Sequence, residues 1–306
     1  MDQNVLERLP TGASVCLIRL RSLGDCVLTT PAIALLKQAR PDLHVAVVVE
    51  DRFSAVFSGN PDVEQTLAPE VGEIVRWRPD LVLNLHGGNR SVQLTMASRA
   101  PLRAGFEHFR LQALYNVRIP RAQGILGVAR KVHTVEHIAS AMFYLGVPVS
   151  EIPRARLFCR PLPPTEPYAV LHPSASAPDK TWPAERFLDV ARCVEDRLAL
   201  KPVFIGGPGE SLSAFNSYRT VVDAPLEDVK SLLAGAALFV GNDSGPAHIA
   251  AAFGVPVVVL FGSSDPDIWS PWKTEAVVLA CRQGIAGLNT AQAIAAVCSL
   301  VPRAVR

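Results

Sequence analysis

Short apolar runs that suit β-strands alternate with helical patterns along most of this chain of 306 residues. In the first half, the strand-like runs cover residues 14–21, 44–50 and 80–86. A helical pattern covers residues 30–40, and Pro31 near its start suits a first helical turn. This alternation predicts an α/β fold, in which parallel sheets are joined by crossover helices.

A proline-rich segment interrupts this rhythm near the middle of the chain. Residues 160–167, RPLPPTEP, hold four prolines in eight positions, so they cannot form a central strand or a helix interior. The same alternation then restarts, with strand-like runs at residues 168–173, 202–206, 237–241 and 256–261 and helical patterns at 183–200, near 225–236 and from about 246. We therefore predict an N-terminal domain at 1–159, a linker at 160–167 and a C-terminal domain at 168–306.

Composition excludes several classes of protein. Half of the residues are hydrophobic, which excludes a disordered or fibrous chain, and the longest apolar runs are far shorter than the roughly 20 residues of a membrane span. The N-terminus shows no secretion signal, so we expect a cytoplasmic protein. The six cysteines form no Cys-x-x-Cys pair and are expected to be reduced, without a disulfide framework or zinc site. No metal cofactor is expected.

Charge is distributed unevenly along the chain. The formal net charge is only +2, but residues 76–131 contain ten Lys or Arg and only two acidic residues. A local basic surface on a nearly neutral protein indicates an anionic partner. Ordinary solvated arginines would explain the same pattern equally well.

The segment GNDSGPAH, residues 241–248, follows a predicted strand and opens a predicted helix. Such a turn exposes unpaired backbone N–H groups and the positive end of the helix. Gly245 allows a ligand to approach the backbone, Ser244 offers a hydroxyl, and Pro246 fits a first helical position. The turn is therefore a predicted phosphate site.

Two residues of this segment have alternative interpretations. Asp243 is either the helix cap or an acceptor of hydrogen bonds from sugar hydroxyls. His248 either packs in the core or faces a bound diphosphate.

Two further segments offer charged and hydroxyl side chains after predicted strands. Residues 19–31, RLRSLGDCVLTTP, contain one glycine, which excludes both a dinucleotide fingerprint and a Walker loop, and they offer the carboxylate of Asp25. Residues 172–187, HPSASAPDKTWPAERF, offer Ser174, Ser176 and Lys180 for phosphate oxygens.

Hydrolase and metal sites have weaker support in the sequence. The G-x-S-x-G motif is excluded around Ser244, because positions 242 and 246 are Asn and Pro. The pair Asp265 and Asp267 resembles a metal-binding D-x-D, but a turn that contains a proline explains it more simply.

Four segments together resemble glycosyltransferase family 9, the ADP-heptose:lipopolysaccharide heptosyltransferases. They are IRLRSLGDCVLTTPAIALLKQARPD, DLVLNLHGG, HPSASAPDKTWPAERF and GNDSGPAHIAAAFGVPVVVLFGSSDP, spread over nearly the whole chain in the family's order. The resemblance implies a GT-B architecture, with two Rossmann-like domains whose parallel sheets face each other across a cleft. The C-terminal domain would hold the nucleotide-sugar and the N-terminal domain the acceptor, and a last helix at residues 289–301 would be able to cross back to the first domain.

The resemblance also implies roles for individual residues. Asp25 falls on the general base and Lys180 on the phosphate-binding lysine, so these two are the expected catalytic residues. Glu210 falls where the family contacts the nucleoside. With the turn residues above, the expected donor-binding set is Ser174, Ser176, Lys180, Glu210, Asp243, Ser244, Gly245, Pro246 and His248. The expected acceptor-binding set is Arg19, Arg21, His86 and Arg90.

The expected reaction is an inverting transfer of heptose from ADP-heptose to a lipopolysaccharide inner-core acceptor. Asp25 lies near a predicted helix N-terminus, which favours its ionised form and makes it a weak base. Lys180 and the helix N–H groups would supply the positive charge that a metal ion otherwise brings.

The expected partners are a nucleotide-sugar, an anionic glycolipid and the cytoplasmic face of the inner membrane through peripheral contact, with no nucleic acid. Two alternatives stay open: a GT-B enzyme that uses another nucleotide-sugar for a different cell-surface glycan, and a non-catalytic relative that binds nucleotide-sugars. The acceptor, the roles of residues 89–130 and the oligomeric state are not specified by the sequence.

Overall fold

The computed structural model of the protein describes residues 4–160, 166–281 and 283–301. The chain divides into two compact units, Met1–Phe158 and Cys159–Arg306. Residues 161–165, which make up most of the expected linker, lie outside the described residues.

The first unit contains one six-stranded sheet with helices between the strands. Its strands are β1 (Ser14–Ile18), β2 (His44–Val48), β3 (Gln65–Leu67), β4 (Leu81–Asn84), β5 (Leu102–Phe106) and β6 (Val117–Ile119). Its helices are α1 (Leu23–Ala39), α2 (Asp51–Ser54), α3 (Val71–Trp77), α4 (Asn89–Ala97), α5 (Ala122–Leu126) and α6 (Thr134–Leu145). All strand pairs are parallel, in the order β3-β2-β1-β4-β5-β6.

The second unit has the same organisation. Its strands are β7 (Tyr168–His172), β8 (Lys201–Gly206), β9 (Arg219–Val222), β10 (Leu238–Asn242), β11 (Val257–Phe261) and β12 (Ala276–Ala280). Its helices are α7 (Ala184–Leu198), α8 (Leu226–Ala234), α9 (Gly245–Ala252), α10 (Pro266–Trp269) and α11 (Thr290–Leu300). All pairs are again parallel, in the order β12-β11-β10-β7-β8-β9.

Both sheets therefore have the doubly wound strand order of a Rossmann fold. In each sheet the chain reverses direction across the sheet between two central strands, β1 and β4 in the first unit and β7 and β10 in the second. Ligands of such sheets bind outside the carboxyl ends of the strands at this switch point. The predicted α/β class with two Rossmann-like parallel sheets is confirmed.

The central strands are buried on both faces, which is why they read as continuous apolar runs in the sequence. β4, β10 and β11 are buried at every position. In the core of the second unit, the rings of Trp182 and Phe187 meet edge to face at 5.1 Å. The central strands are thus fixed in the core, and the loops that follow them carry polar side chains.

Helix α1 begins at Leu23 rather than at Thr30, so the predicted position of Pro31 in a first helical turn is wrong. A proline in a helix interior normally leaves the carbonyl four residues earlier without its partner. Here Thr30 Oγ1 donates to the carbonyl oxygen of Val27 at 2.9 Å and accepts a hydrogen bond from Arg156 N at 2.9 Å. The threonine hydroxyl therefore replaces the missing N–H, and the helix continues through the proline.

The last helix, α11, belongs to the core of the second unit. Ala293, Ala296, Val297 and Leu300 are buried there, and the helix packs against α7, β11 and β12. The buried face of the helix is used within this unit, and the expected return to the first domain stays a prediction. Among the helices of the described ranges, none combines the length and the apolar character that a membrane crossing requires.

Candidate functional site

The carboxyl end of β1 carries the predicted acidic residue of the first unit. Asp25 lies in the first turn of α1 and accepts hydrogen bonds at Oδ2 from the backbone N (3.2 Å) and Oγ (3.1 Å) of the N-cap residue Ser22. Its other oxygen, Oδ1, lies 3.3 Å from Nη1 of Arg19. The capping box and the ion pair hold the carboxylate in one orientation, and its side chain is still 21% exposed.

Arg19, the partner of Asp25, directly follows β1 and is unusual for its burial. Its side chain is only 9% exposed, and burial lowers the pKa of the guanidinium while Asp25 opposes that shift. Its Nε has no hydrogen-bond partner among the described residues. One donor of a buried cation thus remains available beside the Asp25 carboxylate.

The other residues that we expect to bind the acceptor substrate, His86, Arg21 and Arg90, differ in their surroundings. His86 follows β4 and is half-buried, and burial, with a smaller contribution from Arg19, lowers its pKa. Arg21 is exposed. Arg90 is also exposed, on α4, where its Nη2 donates to the carbonyl oxygen of Pro69 at 2.9 Å. Arg19 and Asp25, which form an ion pair, therefore both act electrostatically on His86. Arg90 is instead hydrogen-bonded to the loop that precedes α3.

Sequence reasoning missed Asn84, which shapes the loop that carries His86. Asn84 is the last residue of β4 and is fully buried. Its Oδ1 accepts from the backbone N of His86 and of Gly87, both at 3.0 Å, and its Nδ2 lies 2.9 Å from Tyr115 Oη. The only sign of this role in the sequence is an amide side chain at the end of an apolar run.

Two further histidines lie near this edge of the first sheet and were also missed. His137 of α6 stacks on Phe106 with ring centroids 4.1 Å apart, and its centroid is 5.3 Å from that of His108. Burial lowers the pKa of His137 to about 4 and also lowers that of His108. Burial therefore disfavours the charged form of both rings.

In the second unit, Lys180 and Asp243 approach each other from two different strand ends. Lys180 Nζ lies 3.9 Å from Asp243 Oδ2, and both side chains are partly buried. Gly262, just after β11, permits this approach: a Cβ atom there would lie 2.1 Å from Asp179 O and 2.8 Å from Lys180 Cα. No pattern in the sequence indicates that a glycine after a third strand allows the loop of the lysine to approach so closely.

The start of the helix that follows β10 contradicts the cap interpretation of Asp243 and the predicted position of Pro246. The N-cap of α9 is Ser244, so Asp243 is not the cap, and Pro246 is the second helical residue rather than the first. Ser244 makes no side-chain cap; its Oγ donates instead to the carbonyl oxygen of Asn242 at 3.0 Å. His248 is buried in the helix.

The backbone N–H groups at this helix start remain open. Among the described residues, the N–H groups of Ser244 and Gly245 have no acceptor, and Pro246 has no N–H to offer. These two donors lie at the positive end of α9, directly after Asp243, whose carboxylate is 3.9 Å from the ammonium group of Lys180. The arrangement suits an anion with several oxygens.

Glu210 is held by groups at the end of β7 and in its own loop. Its Oε2 accepts from Gly207 N at 2.8 Å and lies 3.4 Å from Nε2 of His172. These contacts, with a hydrogen bond from Ser174, lower the pKa of Glu210 to about 2, and the contact with His172 contributes most. Glu210 and Ser174 therefore meet, whereas Ser176 is exposed in the same loop.

Two residues of the second unit connect its loops and were missed from the sequence. His172, the last residue of β7, places Nδ1 2.9 Å from Oγ of Ser244, so the ring contacts both Glu210 and Ser244. Asn242, the last residue of β10, is fully buried, donates from Nδ2 to Pro173 O at 2.7 Å and accepts at Oδ1 from Trp182 N at 3.2 Å. Asn242 thus ties both ends of the loop that carries Lys180 to the neighbouring strand.

The possible metal pair at residues 265–267 has a structural role. Asp265 caps α10 by accepting a hydrogen bond from Asp267 N at 3.0 Å, which agrees with the turn interpretation. Across residues 4–160, 166–281 and 283–301, no group of three or more His, Cys, Asp or Glu side chains is arranged to hold a metal ion.

Comparison with known proteins gives consistent matches over most of the chain. The family described as glycosyltransferase family 9 (heptosyltransferase) matches residues 73–286. The lipopolysaccharide heptosyltransferase 3 of Escherichia coli K12 is 24% identical over 293 residues, which cover 85% of each chain. The lipopolysaccharide heptosyltransferase 1 of the same strain is 25% identical over 326 residues, covering 90% of this chain and 96% of the relative.

Solved structures match both units together. A family 9 glycosyltransferase from Veillonella parvula has a TM-score of 0.83 at 22% identity, covering 94% of this chain and 97% of that one. The E. coli heptosyltransferase WaaC with ADP has a TM-score of 0.78 at 19% identity, covering 94% and 99%. These likenesses show a shared fold, and the GT-B class is confirmed.

We expect Gly262→Ala to destabilise the protein by about 1–3 kcal/mol, because the new Cβ collides with backbone atoms rather than with a flexible side chain. Thermal unfolding of Gly262→Ala, of a control variant and of the parent would measure this loss of stability. Gly72→Ala is the matched control: Gly72 lies in α3 with nothing within 4 Å of an added Cβ, so alanine there should be neutral or stabilising by up to about 1 kcal/mol. Equal melting temperatures for Gly262→Ala and the parent would show that the loop of Lys180 does not depend on this close approach.

Proposed function

Because the chain belongs to glycosyltransferase family 9 and is therefore a glycosyltransferase, we propose that it transfers heptose from ADP-heptose to an inner-core lipopolysaccharide acceptor, with inversion and without a metal ion. The curated relatives that cover most of the chain are named lipopolysaccharide heptosyltransferases, and matched structures are described with ADP and with ADP-2-deoxy-2-fluoro heptose. The observation that carries the proposal is the pair of open N–H groups at the start of α9 beside Lys180.

In this proposal, the second unit binds the nucleotide-sugar. The N–H groups of Ser244 and Gly245 and the ammonium group of Lys180 bind the diphosphate, and Asp243 accepts hydrogen bonds from sugar hydroxyls. Glu210 contacts the nucleoside. Positive groups fixed before the reaction stabilise the charge that develops as ADP leaves, and losing one such donor costs about 2.7–4 kcal/mol in other enzymes.

The first unit supplies the base and the acceptor contacts in this proposal. Asp25 takes the proton from the attacking hydroxyl of the acceptor, and Arg19, Arg21, His86 and Arg90 bind its acidic groups. Arg19 and Ser22 hold the carboxylate in place, and a carboxylate base is sufficient when the proton leaves after the new bond to the anomeric carbon has begun to form. Lys180 and the helix dipole supply the positive charge at the leaving group, so no divalent cation is invoked.

We expect the purified protein to release ADP from ADP-heptose in the presence of heptose-free inner-core acceptor and to extend that acceptor by one heptose, with and without EDTA. Asp25→Asn should lower turnover about 10²- to 10⁴-fold, because the base is lost while its shape is kept. Mass spectrometry of the acceptor and assay of nucleotide release measure both effects.

The control is Asp189→Asn, an exposed acidic residue of α7, which should turn over like the parent. Transfer only from a UDP- or GDP-sugar would replace the proposed donor. Full turnover of Asp25→Asn would exclude the proposed base, and donor binding without turnover in the parent would favour a non-catalytic relative.

We also propose that the first unit contacts an anionic membrane surface through a groove beside α4. The exposed apolar side chains Met96, Leu111 and Leu114 line an open groove of about 450 Å³, with Arg110 at the same groove. The groove lies within the segment that holds ten basic and two acidic residues. Apolar side chains flanked by arginines suit the boundary between acyl chains and anionic headgroups.

Replacing Met96, Leu111 and Leu114 together by serine should weaken binding to vesicles that contain phosphatidylglycerol, because the apolar contact is removed. Co-sedimentation with these vesicles and with purely zwitterionic ones measures the loss. Val149→Ser, at an exposed valine outside the groove, is the control and should bind as the parent does. Equal sedimentation of the triple variant and the parent would rule out this surface.

A further inference from the structure

His172 is a buried histidine for which neither the sequence nor the proposed reaction supplies a role. It ends β7 at the switch point of the second sheet and is only 5% exposed. We propose that His172 is a positioning residue, which holds the hydroxyl of Ser244 away from the first turn of α9 and so keeps the positive end of that helix uncapped for the diphosphate. This inference rests on the proposed donor site.

The imidazole ring spans two groups on different elements. Nδ1 lies 2.9 Å from Ser244 Oγ, at the end of β10, and Nε2 lies 3.4 Å from Glu210 Oε2, in the loop after β8. Glu210 is itself fixed by the backbone N of Gly207 at 2.8 Å. One ring therefore joins the residue assigned to the nucleoside and the residue assigned to the diphosphate.

The hydrogen-bond chemistry of the ring permits two arrangements. Because an ionised carboxylate only accepts, Nε2 carries a hydrogen that points to Glu210. Nδ1 then either donates to Ser244 Oγ, whose hydrogen goes to the carbonyl oxygen of Asn242, or accepts that hydrogen from the hydroxyl. In both arrangements the Ser244 hydroxyl is directed to the side of His172 and Asn242.

This direction matters because serine at an N-cap normally does something else. Its oxygen usually accepts a hydrogen bond from the second or third N–H of the helix and thereby neutralises the positive end. In α9 the second residue is Pro246, the N–H of Ala247 bonds to the backbone oxygen of Ser244 at 3.2 Å, and no side-chain cap is formed. Without His172, the hydroxyl would be able to rotate toward the N–H of Ala247 and form the usual cap, which would weaken the positive end of the helix where the diphosphate binds.

The proposed role predicts that the effects of removing the His172 ring and the Ser244 hydroxyl are coupled. Loss of the ring is harmful mainly because the Ser244 hydroxyl is released, so the loss should matter little when that hydroxyl is absent. A general structural role of His172 in the sheet would instead cost the same affinity in either background.

Isothermal titration of ADP into the parent, His172→Ala, Ser244→Ala and the double variant tests this coupling. We expect His172→Ala to weaken ADP binding about tenfold, a change of about 1.4 kcal/mol. In the Ser244→Ala background, the same replacement should weaken it less than about threefold. In turnover with ADP-heptose, His172→Ala should raise KM more than it lowers kcat.

Two conservative variants separate the two ends of the ring. His172→Asn places an amide where Nδ1 lies and should recover most of the ADP affinity through Ser244. His172→Gln reaches the position of Nε2 and should recover little. His133→Ala removes a buried histidine that caps α6 in the first unit, so it controls for the loss of a buried ring and should leave ADP affinity unchanged.

The outcomes distinguish this inference from the proposed function. If the parent binds ADP and His172→Ala binds it equally well, or loses the same factor with and without the Ser244 hydroxyl, the positioning role is wrong while the donor assignment stands. If the parent does not bind ADP but binds UDP or GDP, the donor assignment is wrong, and the same cycle run with the bound nucleotide decides the role of His172. If the parent binds none of these nucleotides, both proposals fail.

Discussion

The structure depends most on how a doubly wound parallel sheet ends at its switch point. Two neighbouring central strands stay paired to their ends there, but the loops that follow them leave in opposite directions, so a crevice opens that the sheet itself cannot fill. In the second unit this crevice receives the open start of α9, whose first N–H groups have no acceptor among the described residues. The loop after β7 brings Lys180 close to Asp243, the residue before the N-cap of α9. The N–H dipoles of the helix and the flexible ammonium group of Lys180 are therefore near each other.

Both units hold their switch points with the same device, a buried asparagine. Asn84 ends β4 and Asn242 ends β10, and these strands occupy equivalent places in the two sheets. Each side chain is fully buried and donates or accepts hydrogen bonds with the loops around it. An amide can do this because it offers both donors and acceptors without a charge, so the cost of burial is offset by satisfied partners.

The sequence was a sufficient guide to what depends on local pattern. Alternating strands and helices predicted both sheets, and the glycine, serine and proline after β10 predicted a turn from that strand into a helix. It was not sufficient where distant residues decide. The loop of Lys180 packs closely against Gly262, and the Ser244 hydroxyl contacts His172. No spacing rule relates these residues, because their contacts arise only when separate strands are aligned in a sheet.

A crystal structure of the protein with ADP is the most direct test of the claim that α9 and Lys180 form the diphosphate site. The account predicts diphosphate oxygens within about 3 Å of the backbone nitrogens of Ser244 and Gly245 and of Lys180 Nζ, with the Ser244 hydroxyl still directed to His172. ADP bound elsewhere, with these nitrogens still facing solvent, would contradict it.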